Sequence, residues 1–246
     1  MKIALIGYGK MGKAIEQIAK ERKHEVVSII DQDNQHDFQS AAFKSADVAI
    51  EFTGPESAFS NISACFAAKV PVVCGSTGWL EHWYLVEQAC KEQEATILYA
   101  SNFSIGVNLF FQLNQYLAEL MKSHAEYQPS ITEIHHTAKK DAPSGTAITL
   151  AEGILASYPN KTNWVNRPKA NEKELSIISE RIDPAPGTHI IQYTSEIDDI
   201  EIKHTAHTRT GFALGAVLAA EFLKGKKGIY QMKDVMHAIA AAAAHL

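Results

Sequence analysis

Short apolar runs alternate with helix-like stretches from the first residues to about residue 100, and this alternation restricts the fold more than any other feature. The apolar runs, rich in β-branched residues, predict five strands at residues 2–6, 25–30, 48–52, 71–74 and 96–99. The stretches between them show helical spacing and predict helices at 11–22, 56–68 and 81–93. Strands that are apolar on both faces and alternate with helices form a parallel sheet covered on both sides. The fold class predicted for this region is therefore α/β, with a doubly wound domain of the Rossmann type.

A GxGxxG turn follows the first predicted strand and opens the first helix; its residues are Gly7, Tyr8, Gly9, Lys10, Met11 and Gly12. Such glycines permit a tight turn, close approach of the backbone to a pyrophosphate, and close packing of the helix on the strand. The free N–H groups of the helix then attract phosphate. Asp31 ends the second strand about 20 residues later, where an acid accepts hydrogen bonds from the adenosine ribose hydroxyls. Together these features predict a dinucleotide site.

The residue type at the ribose position also predicts which dinucleotide is used. Asp31 would repel a 2′-phosphate, and the following Gln32 offers no cation to bind one. We therefore expect NADH to be preferred, with NADPH as an alternative cofactor.

Small and polar residues also follow the third, fourth and fifth predicted strands. Ligands of doubly wound folds bind at the carboxyl ends of the strands, so these loops are expected to line the same crevice. The further residues predicted to bind the cofactor are Phe52, Thr53, Gly75, Ser76, Thr77, Ala100, Ser101, Asn102 and Phe103.

The pattern changes after residue 102, where a long helix is predicted at 105–122 and strands at 130–136, 175–182, 189–197 and 200–207. Consecutive strands with few helices predict a second, α+β domain with an open mixed sheet, and covering such a sheet favours self-association. Two last helices, at 212–223 and 232–244, are expected to pack on the first domain, whereas 224–228 is interpreted as a solvated helix end. The predicted domains are 1–104 with 210–246 for the dinucleotide, and 105–209 for substrate binding and oligomerisation.

Residues 133–147 contain the densest set of chemically active side chains. His135 and His136 end a strand, Lys139 follows, and Ser144 is a good N-cap for a helix that runs to Leu155. A helix N-terminus attracts an anion, Lys139 adds a full positive charge, and a histidine exchanges protons near neutral pH. The segment is therefore expected to bind a carboxylate beside its own acid, facing the reactive ring of the dinucleotide.

This segment is similar to the E-x-H-H-x-x-K-x-D-A-P-S-G-T-A signature of the 4-hydroxy-tetrahydrodipicolinate reductase family, also called dihydrodipicolinate reductases. The resemblance extends over essentially the whole chain, through blocks at 75–78, 100–103, 104–108 and 209–215. It implies hydride transfer from NADH or NADPH to ring C4 of a cyclic imine dicarboxylate, in lysine and diaminopimelate biosynthesis. It also implies that the mixed sheets assemble a homotetramer.

The resemblance assigns roles residue by residue. His135 matches the catalytic acid or base and Lys139 the proton donor of the family. The predicted substrate-binding residues are His136, Lys139, Ser144, Gly145 and Thr146. Two departures, Gly54 and Gln32 where members often carry Arg, weaken the case for NADPH.

Composition restricts the partners and the compartment. A formal charge of -5 argues against nucleic acid, since phosphate binding needs a cationic face. No window approaches the roughly 18 apolar residues of a membrane span. Three cysteines without a CxxC pair argue against a disulfide framework, so a cytoplasmic protein is expected.

Other interpretations of these residues and of the whole chain were weighed. His135 and His136 as metal ligands are disfavoured, because neighbours on a strand face apart and no carboxylate or cysteine cluster completes a zinc set, so no metal is expected. His204 and His207 are expected to be structural, while Arg209 is either a substrate contact or a hinge residue. The alternative functions are another two-domain Rossmann dehydrogenase, acting on an amino acid or a sugar, and a non-enzymatic NADH sensor.

Overall fold

The computed structural model describes residues 1–243, which divide into two compact units. The first unit comprises Met1–Ile105 and the chain from Arg209 onward, and the second is Gly106–Thr208. Each boundary lies one residue from the predicted one. Residue 244, the end of the last predicted helix, is outside the described residues. Within the described chain, no helix combines the length and the apolar character needed to cross a membrane.

The first unit is built on a six-stranded sheet in which every described pairing is parallel. Labels follow chain order, and the strands of this unit are β1 (Lys2–Ile6), β2 (Glu25–Ile30), β3 (Val48–Glu51), β4 (Val72–Cys74), β5 (Thr96–Tyr99) and β11 (Gly228–Tyr230). Their order across the sheet is β11-β5-β4-β3-β1-β2. The helices are α1 (Lys10–Glu21), α2 (Ala41–Lys44), α3 (Pro55–Ala67), α4 (Trp83–Glu92), α7 (Thr210–Leu223) and α8 (Met232–Ala243), with 3-10 turns at Gln32–Gln39 and Leu80–His82. The predicted Rossmann-type α/β class is confirmed.

Two apolar layers cover the two faces of this sheet. Alternate residues of β1 point to opposite faces: Ile3 and Leu5 join one buried cluster, and Ala4 and Ile6 join the other. The first cluster includes residues of α1, α7 and α8, and the second includes residues of α3 and α4. Burial on both faces explains why these strands are continuously apolar in the sequence.

One strand of the first unit was missed at the sequence level. Gly228 begins β11, which pairs in parallel with β5, so the interpretation of 224–228 as a solvated helix end is wrong at its last residue. Helix α7 ends at Leu223, and Lys226 lies with its Nζ 4.5 Å from the centre of the Phe222 ring. A three-residue strand is too short to show a periodic pattern, and pairing with its neighbour decides its conformation.

The second unit contains a mixed five-stranded sheet with the order β10-β9-β6-β8-β7. Its strands are β6 (Gln128–His135), β7 (Asn163–Val165), β8 (Glu174–Arg181), β9 (Thr188–Thr194) and β10 (Asp199–Thr205), and its helices are α5 (Ile105–Met121) and α6 (Gly145–Leu155). β6 is parallel to β8 and antiparallel to β9. The two helices share a buried cluster with Ile131, Ile177 and Ile191. The predicted open mixed sheet is confirmed; β7 was not predicted.

Candidate active site

The outer glycines of the GxGxxG turn are required by the protein's own packing. Gly7 has φ +89, and a Cβ added there would lie 2.2 Å from the carbonyl oxygen of Phe52. A Cβ on Gly12 would lie 2.2 Å from the carbonyl oxygen of Gly7. These two positions hold the turn against β3 and α1, as the motif predicts.

The middle glycine is different, because a Cβ on Gly9 would meet no described atom within 4 Å. Gly9 is the N-cap of α1 and supplies no side-chain cap, so the first N–H groups of the helix stay available to a ligand. An open backbone beside a helix N-terminus fits a pyrophosphate, since phosphate oxygens accept hydrogen bonds from such groups.

Asp31 lies where β2 ends, next to this turn. Its Oδ1 accepts a hydrogen bond from Gln32 N at 2.9 Å, and its Oδ2 accepts one from Tyr8 N at 3.3 Å. The side chain remains exposed, and the Tyr8 hydroxyl donates to Glu16. The carboxylate that is predicted to bind the ribose is thus tied to the glycine turn.

The predicted loops after β3 and β4 meet at Glu51, to which sequence analysis gave no role. Glu51 is fully buried; its Oε1 accepts from Ser76 Oγ at 3.0 Å and from the Thr53 hydroxyl. Its Oε2 accepts from Cys74 Sγ at 3.1 Å, and Ser76 Oγ accepts from Thr53 N at 2.8 Å. One carboxylate therefore joins both loops. An acid that ends an apolar strand was the available sequence signal.

Phe52 connects the same loops through its ring. A Cβ on Gly75 would lie 2.2 Å from the Phe52 ring, and the rings of Phe52 and Phe103 are 5.5 Å apart. Asn102, in the loop after β5, accepts a hydrogen bond from Ser104 N at 2.9 Å. Thr77 and Ser101 are exposed to solvent, and Phe52 is half-buried. The structure places all the predicted cofactor residues in the first unit.

In the second unit, His135 ends β6 and is buried beside Glu133. Its Nδ1 lies 2.7 Å from Glu133 Oε2, although the geometry between the two atoms is not that of a hydrogen bond. The other carboxylate oxygen accepts from Arg181 Nη2 at 3.0 Å and from Ser144 N at 3.3 Å. Burial alone raises the pKa of Glu133, but contacts with His135, Ser144, Ser179 and Arg181 outweigh it and hold the pKa well below its usual value.

Lys139 lies in the loop after β6, where both carboxylate oxygens of Asp141 are 2.8 Å from its Nζ. Burial raises the pKa of Asp141, and the Lys139 ammonium more than offsets this, so the carboxyl stays ionised. Lys139 N donates to His136 O at 3.1 Å in the same turn. The loop therefore presents one ammonium group that already has an acidic partner.

Helix α6 begins as predicted, with Ser144 as its N-cap. Ser144 Oγ accepts from Ala147 N at 3.2 Å and shares a hydrogen bond with His189 Nε2 at 3.1 Å. Gly145 is the first helical residue, and an added Cβ there would meet no described atom within 4 Å. Thr146 follows and is half-buried. The N-terminus of α6 thus combines a capped end with open backbone.

His189, on β9, is a further residue of this site that sequence analysis missed. Its ring is 5.2 Å from the ring of His135 at 74°. Burial, and then the neighbouring charge of His135, lowers the pKa of His189 to about 3. His189 therefore stays neutral while it shares a hydrogen bond with Ser144.

Glu133, His135 and His189 each offer a donor atom of the kind that binds metals, and these atoms lie within 4.8 Å of one another. The sequence argument that no carboxylate completes a metal-binding set is therefore wrong. Glu133 Oε1 and His189 Nε2 are, however, engaged by Arg181 and Ser144. The expectation that no metal is bound stays a prediction.

Comparison with known proteins places this geometry in a family. The model named dihydrodipicolinate reductase, N-terminus, matches residues 1–103, and that named dihydrodipicolinate reductase, C-terminus, matches 106–236. The chain belongs to the dihydrodipicolinate reductase family. The resemblance recognised in the sequence is confirmed, and the family is one of oxidoreductases.

Individual relatives agree with the family models. The chain is 50% identical over 237 residues to 4-hydroxy-tetrahydrodipicolinate reductase of Christiangramia forsetii, covering 96% of this chain and 98% of that protein. It is 34% identical to the enzyme of the same name from Thermosipho africanus, covering 96% and 98%. A dipicolinate-bound dihydrodipicolinate reductase structure from Paenisporosarcina sp. TG-14 has a similar fold, with TM-score 0.71, 22% identity, and coverage of 94% of this chain and 97% of that one.

In this chain the predicted catalytic and substrate-binding residues all lie in the second unit. Arg209 instead begins the second segment of the first unit, as the exposed N-cap residue of α7. His207 is exposed, and His204 is half-buried, with its ring 5.9 Å from that of Phe110; the structural role expected for both stays a prediction. The residues that sequence analysis did not connect to the site are Arg181 and His189; Glu51 and Glu133 lay within segments that it connected to the crevice, but without a role of their own.

Proposed function

We propose that this chain reduces 4-hydroxy-tetrahydrodipicolinate to tetrahydrodipicolinate with a nicotinamide cofactor, in lysine and diaminopimelate biosynthesis. The observation that carries the proposal is the second unit's assembly of His135, Lys139 and the start of α6 around the buried Glu133. Family membership and 50% identity to a named reductase support the same activity.

The cofactor is assigned to the first unit. The open backbone at Gly9 and the N-terminus of α1 receive the pyrophosphate, and Asp31 accepts hydrogen bonds from the adenosine ribose. When bound, the reduced nicotinamide supplies a hydride, with its electron pair, to the substrate ring. The loops joined by Glu51 hold backbone groups in place beside it.

The substrate is assigned to the second unit. Its two carboxylates meet the ammonium of Lys139 and the open N-terminus of α6 at Gly145 and Thr146, with His136 as a further contact. After the 4-hydroxy group has left as water, hydride addition to the conjugated imine places electron density on the ring nitrogen and adjacent carbon, and the one proton then required comes from the His135–Lys139 pair. General acid help of this kind is typically worth about 10²–10⁴ in rate.

Oxidation of NADH with freshly generated 4-hydroxy-tetrahydrodipicolinate tests the activity, and absence of turnover would reject it in favour of another dehydrogenase or a sensor. Lys139→Ala is expected to lower kcat and raise KM, because charge pairing and proton supply are lost together. His135→Ala is expected to lower mainly kcat. Lys140→Ala is the matched control, since it removes the same charge from the exposed neighbouring residue and should leave both constants unchanged.

We also propose that NADH is preferred over NADPH. Asp31 is exposed, with both carboxylate oxygens turned toward the glycine turn and Gln32 N, so a 2′-phosphate would meet negative charge. Measuring kcat/KM with each cofactor tests this, and a higher value with NADPH would refute it. Asp31→Ser should reduce the difference in kcat/KM between NADH and NADPH, because it removes the repulsion of the 2′-phosphate.

A homotetramer and a cytoplasmic location complete the proposal. Ile131 and Ile191 point to the helices, so Ile134, Ile178 and Ile190 lie on the other, half-buried face of the second unit's sheet, which a partner subunit would cover. Light scattering should give four chains per particle; a monomer would contradict the assembly. Cys65, Cys74 and Cys90 are free and buried, which is compatible with a reducing compartment.

A further inference from the structure

We propose that Glu133 is a positioning residue, which holds His135 with its proton on Nδ1 so that Nε2 is the atom that exchanges a proton with the substrate. The proposal rests on the proposed function for its kinetic part. Its structural part, the location of a ring proton, concerns the protein alone.

The two groups are close enough for the charge of one to decide where the proton of the other resides. Nδ1 of His135 and Oε2 of Glu133 are 2.7 Å apart, which is a charge-assisted hydrogen-bond distance. The neighbours of Glu133 keep its carboxyl ionised, and a partly negative, unprotonated Nδ1 so close to it would be repelled, whereas a protonated Nδ1 is attracted; the proton therefore belongs to Nδ1. The geometry between the two atoms is not yet that of a hydrogen bond. Catalytic hydrogen bonds in free enzymes are often misaligned and tighten when ligands bind.

Glu133 is itself held rigidly from its other side. Its Oε1 accepts from Arg181 Nη2 at 3.0 Å and from Ser144 N at 3.3 Å, and the residue has no exposed surface. Arg181 supplies the positive charge that a buried carboxylate needs. Because these contacts fix Oε1, the orientation of the carboxylate is set, and Oε2 lies toward the imidazole of His135.

Arg181 connects this pair to the other proposed proton donor. The same Nη2 donates to the carbonyl oxygen of Asp141 at 2.6 Å, and Asp141 pairs with Lys139. The support of His135 and the support of Lys139 therefore meet at one guanidinium nitrogen. This junction gives a reason for a cation at the end of β8, where the register sets Arg181 opposite His135.

The second ring nitrogen faces a different environment. A Cβ on Gly187 would lie 3.1 Å from His135 Nε2, so the glycine leaves room at that atom. The charged or titratable groups around the ring are Glu133 on β6, Arg181 on β8, His189 on β9 and Lys139 in the loop. Because His189 is neutral, it does not compete with Glu133, whose carboxylate is the charged group that contacts the imidazole. The arrangement is the one in which a buried acid fixes a histidine tautomer in acid–base enzymes.

NMR of the histidine ring nitrogens in the wild-type protein tests the tautomer directly, without any assay. We expect neutral His135 to carry its proton on Nδ1, and a proton found on Nε2 would overturn the proposal. Glu133→Gln keeps the shape and removes the charge. This variant should populate the other tautomer and lower kcat at least about tenfold. It should also move the alkaline fall of kcat to lower pH, with KM for NADH unchanged.

Glu152→Gln is the matched control, because Glu152 carries the same charge in the same unit but is exposed on α6, away from His135 and from the outer face of the sheet. It should leave the tautomer, kcat and the pH profile unaltered. Glu133→Gln with wild-type tautomer and pH profile would overturn the proposal even if kcat falls. If Glu133→Gln does not fold, the wild-type NMR result still decides. If wild type shows no turnover, the proposed function fails while the tautomer result stands separately.

Discussion

Two buried carboxylates, one in each unit, show two ways of placing an acid without exposed surface. Glu51 and Glu133 each lie at or near the carboxyl end of a strand, and both are 0% exposed. Glu51 is surrounded by neutral donors: the hydroxyls of Ser76 and Thr53, the thiol of Cys74 and the amide of Asn61. Glu133 has a guanidinium, a backbone N–H and an imidazole.

The difference matches the two tasks that we propose. Neutral donors from two loops hold those loops together, which is sufficient where backbone groups must meet a dinucleotide. A charged partner does more, because a guanidinium keeps the carboxylate ionised and lets it act on a neighbouring histidine. Variants at the two sites test this difference through their effects on stability and on cofactor binding.

The largest effect is expected from Arg181→Met. Removing the cation leaves Glu133 buried without compensation, which typically costs about 3–5 kcal/mol of the free energy of unfolding. Urea unfolding measures this. Arg167→Met is the control, since Arg167 pairs with Glu174 at 2.7 Å but is 56% exposed, and such pairs contribute about 1 kcal/mol or less. Equal losses in the two variants would mean that Glu133 does not depend on its charged partner.

The stability of the protein at acidic pH should depend on His189, which lies in the same site as Glu133. Its pKa is about 3 in the folded protein, against 6.5 for the ordinary side chain. Below pH 6.5 the unfolded chain therefore takes up a proton that the folded chain refuses, and stability falls progressively toward pH 3. The expected loss is about 1 kcal/mol per pH unit.

The unfolding midpoint, followed from neutral pH down through this window, measures that loss. His189→Gln should flatten the upper part of the curve, before the carboxylates begin to titrate. An equally steep curve in the variant would assign the acid sensitivity to other groups.

A smaller effect is expected from Glu51→Gln. The amide keeps one acceptor but turns an N–H₂ group toward hydroxyl and thiol donors, so about 1–2 kcal/mol is lost. Because the two loops are less firmly joined, KM for NADH should rise. Glu81→Gln, at a side chain that is 79% exposed, should change neither quantity. If Glu51→Gln costs as much as Arg181→Met, the distinction between neutral and charged partners fails.

The smallest change in stability is expected for Gly9→Ala, within about 0.5 kcal/mol. An added Cβ at Gly9 meets no described atom within 4 Å, so it would make close contact with a bound ligand and not with the protein. KM for NADH should nevertheless rise. Gly12→Ala is the contrast, because its Cβ would lie 2.2 Å from the Gly7 carbonyl oxygen and the fold itself should be destabilised. An unchanged KM for NADH in Gly9→Ala would contradict the proposal that the pyrophosphate binds at this turn.

Features governed by neighbours in the chain were predictable from the sequence by itself. The apolar alternation determined the parallel sheet, the spacing of Gly7 and Gly12 determined the turn, and Ser144 determined where α6 begins. Each depends on backbone geometry and hydrogen bonds within a few residues, and such local preferences are written directly in residue order.

Only the tertiary structure decided which distant residues meet. Arg181 reaches Glu133 across 48 positions, Ser76 reaches Glu51 across 25, and His189 reaches Ser144 across 45. The pairing of β6 with β8 and β9 brings the first and third of these together, and strand pairing leaves no periodic trace in a single strand. For the same reason β11 became visible only through its neighbour β5. The sequence determined the reacting groups and the folded sheets determined their supports, because a buried charge takes its partner from whatever the fold places beside it.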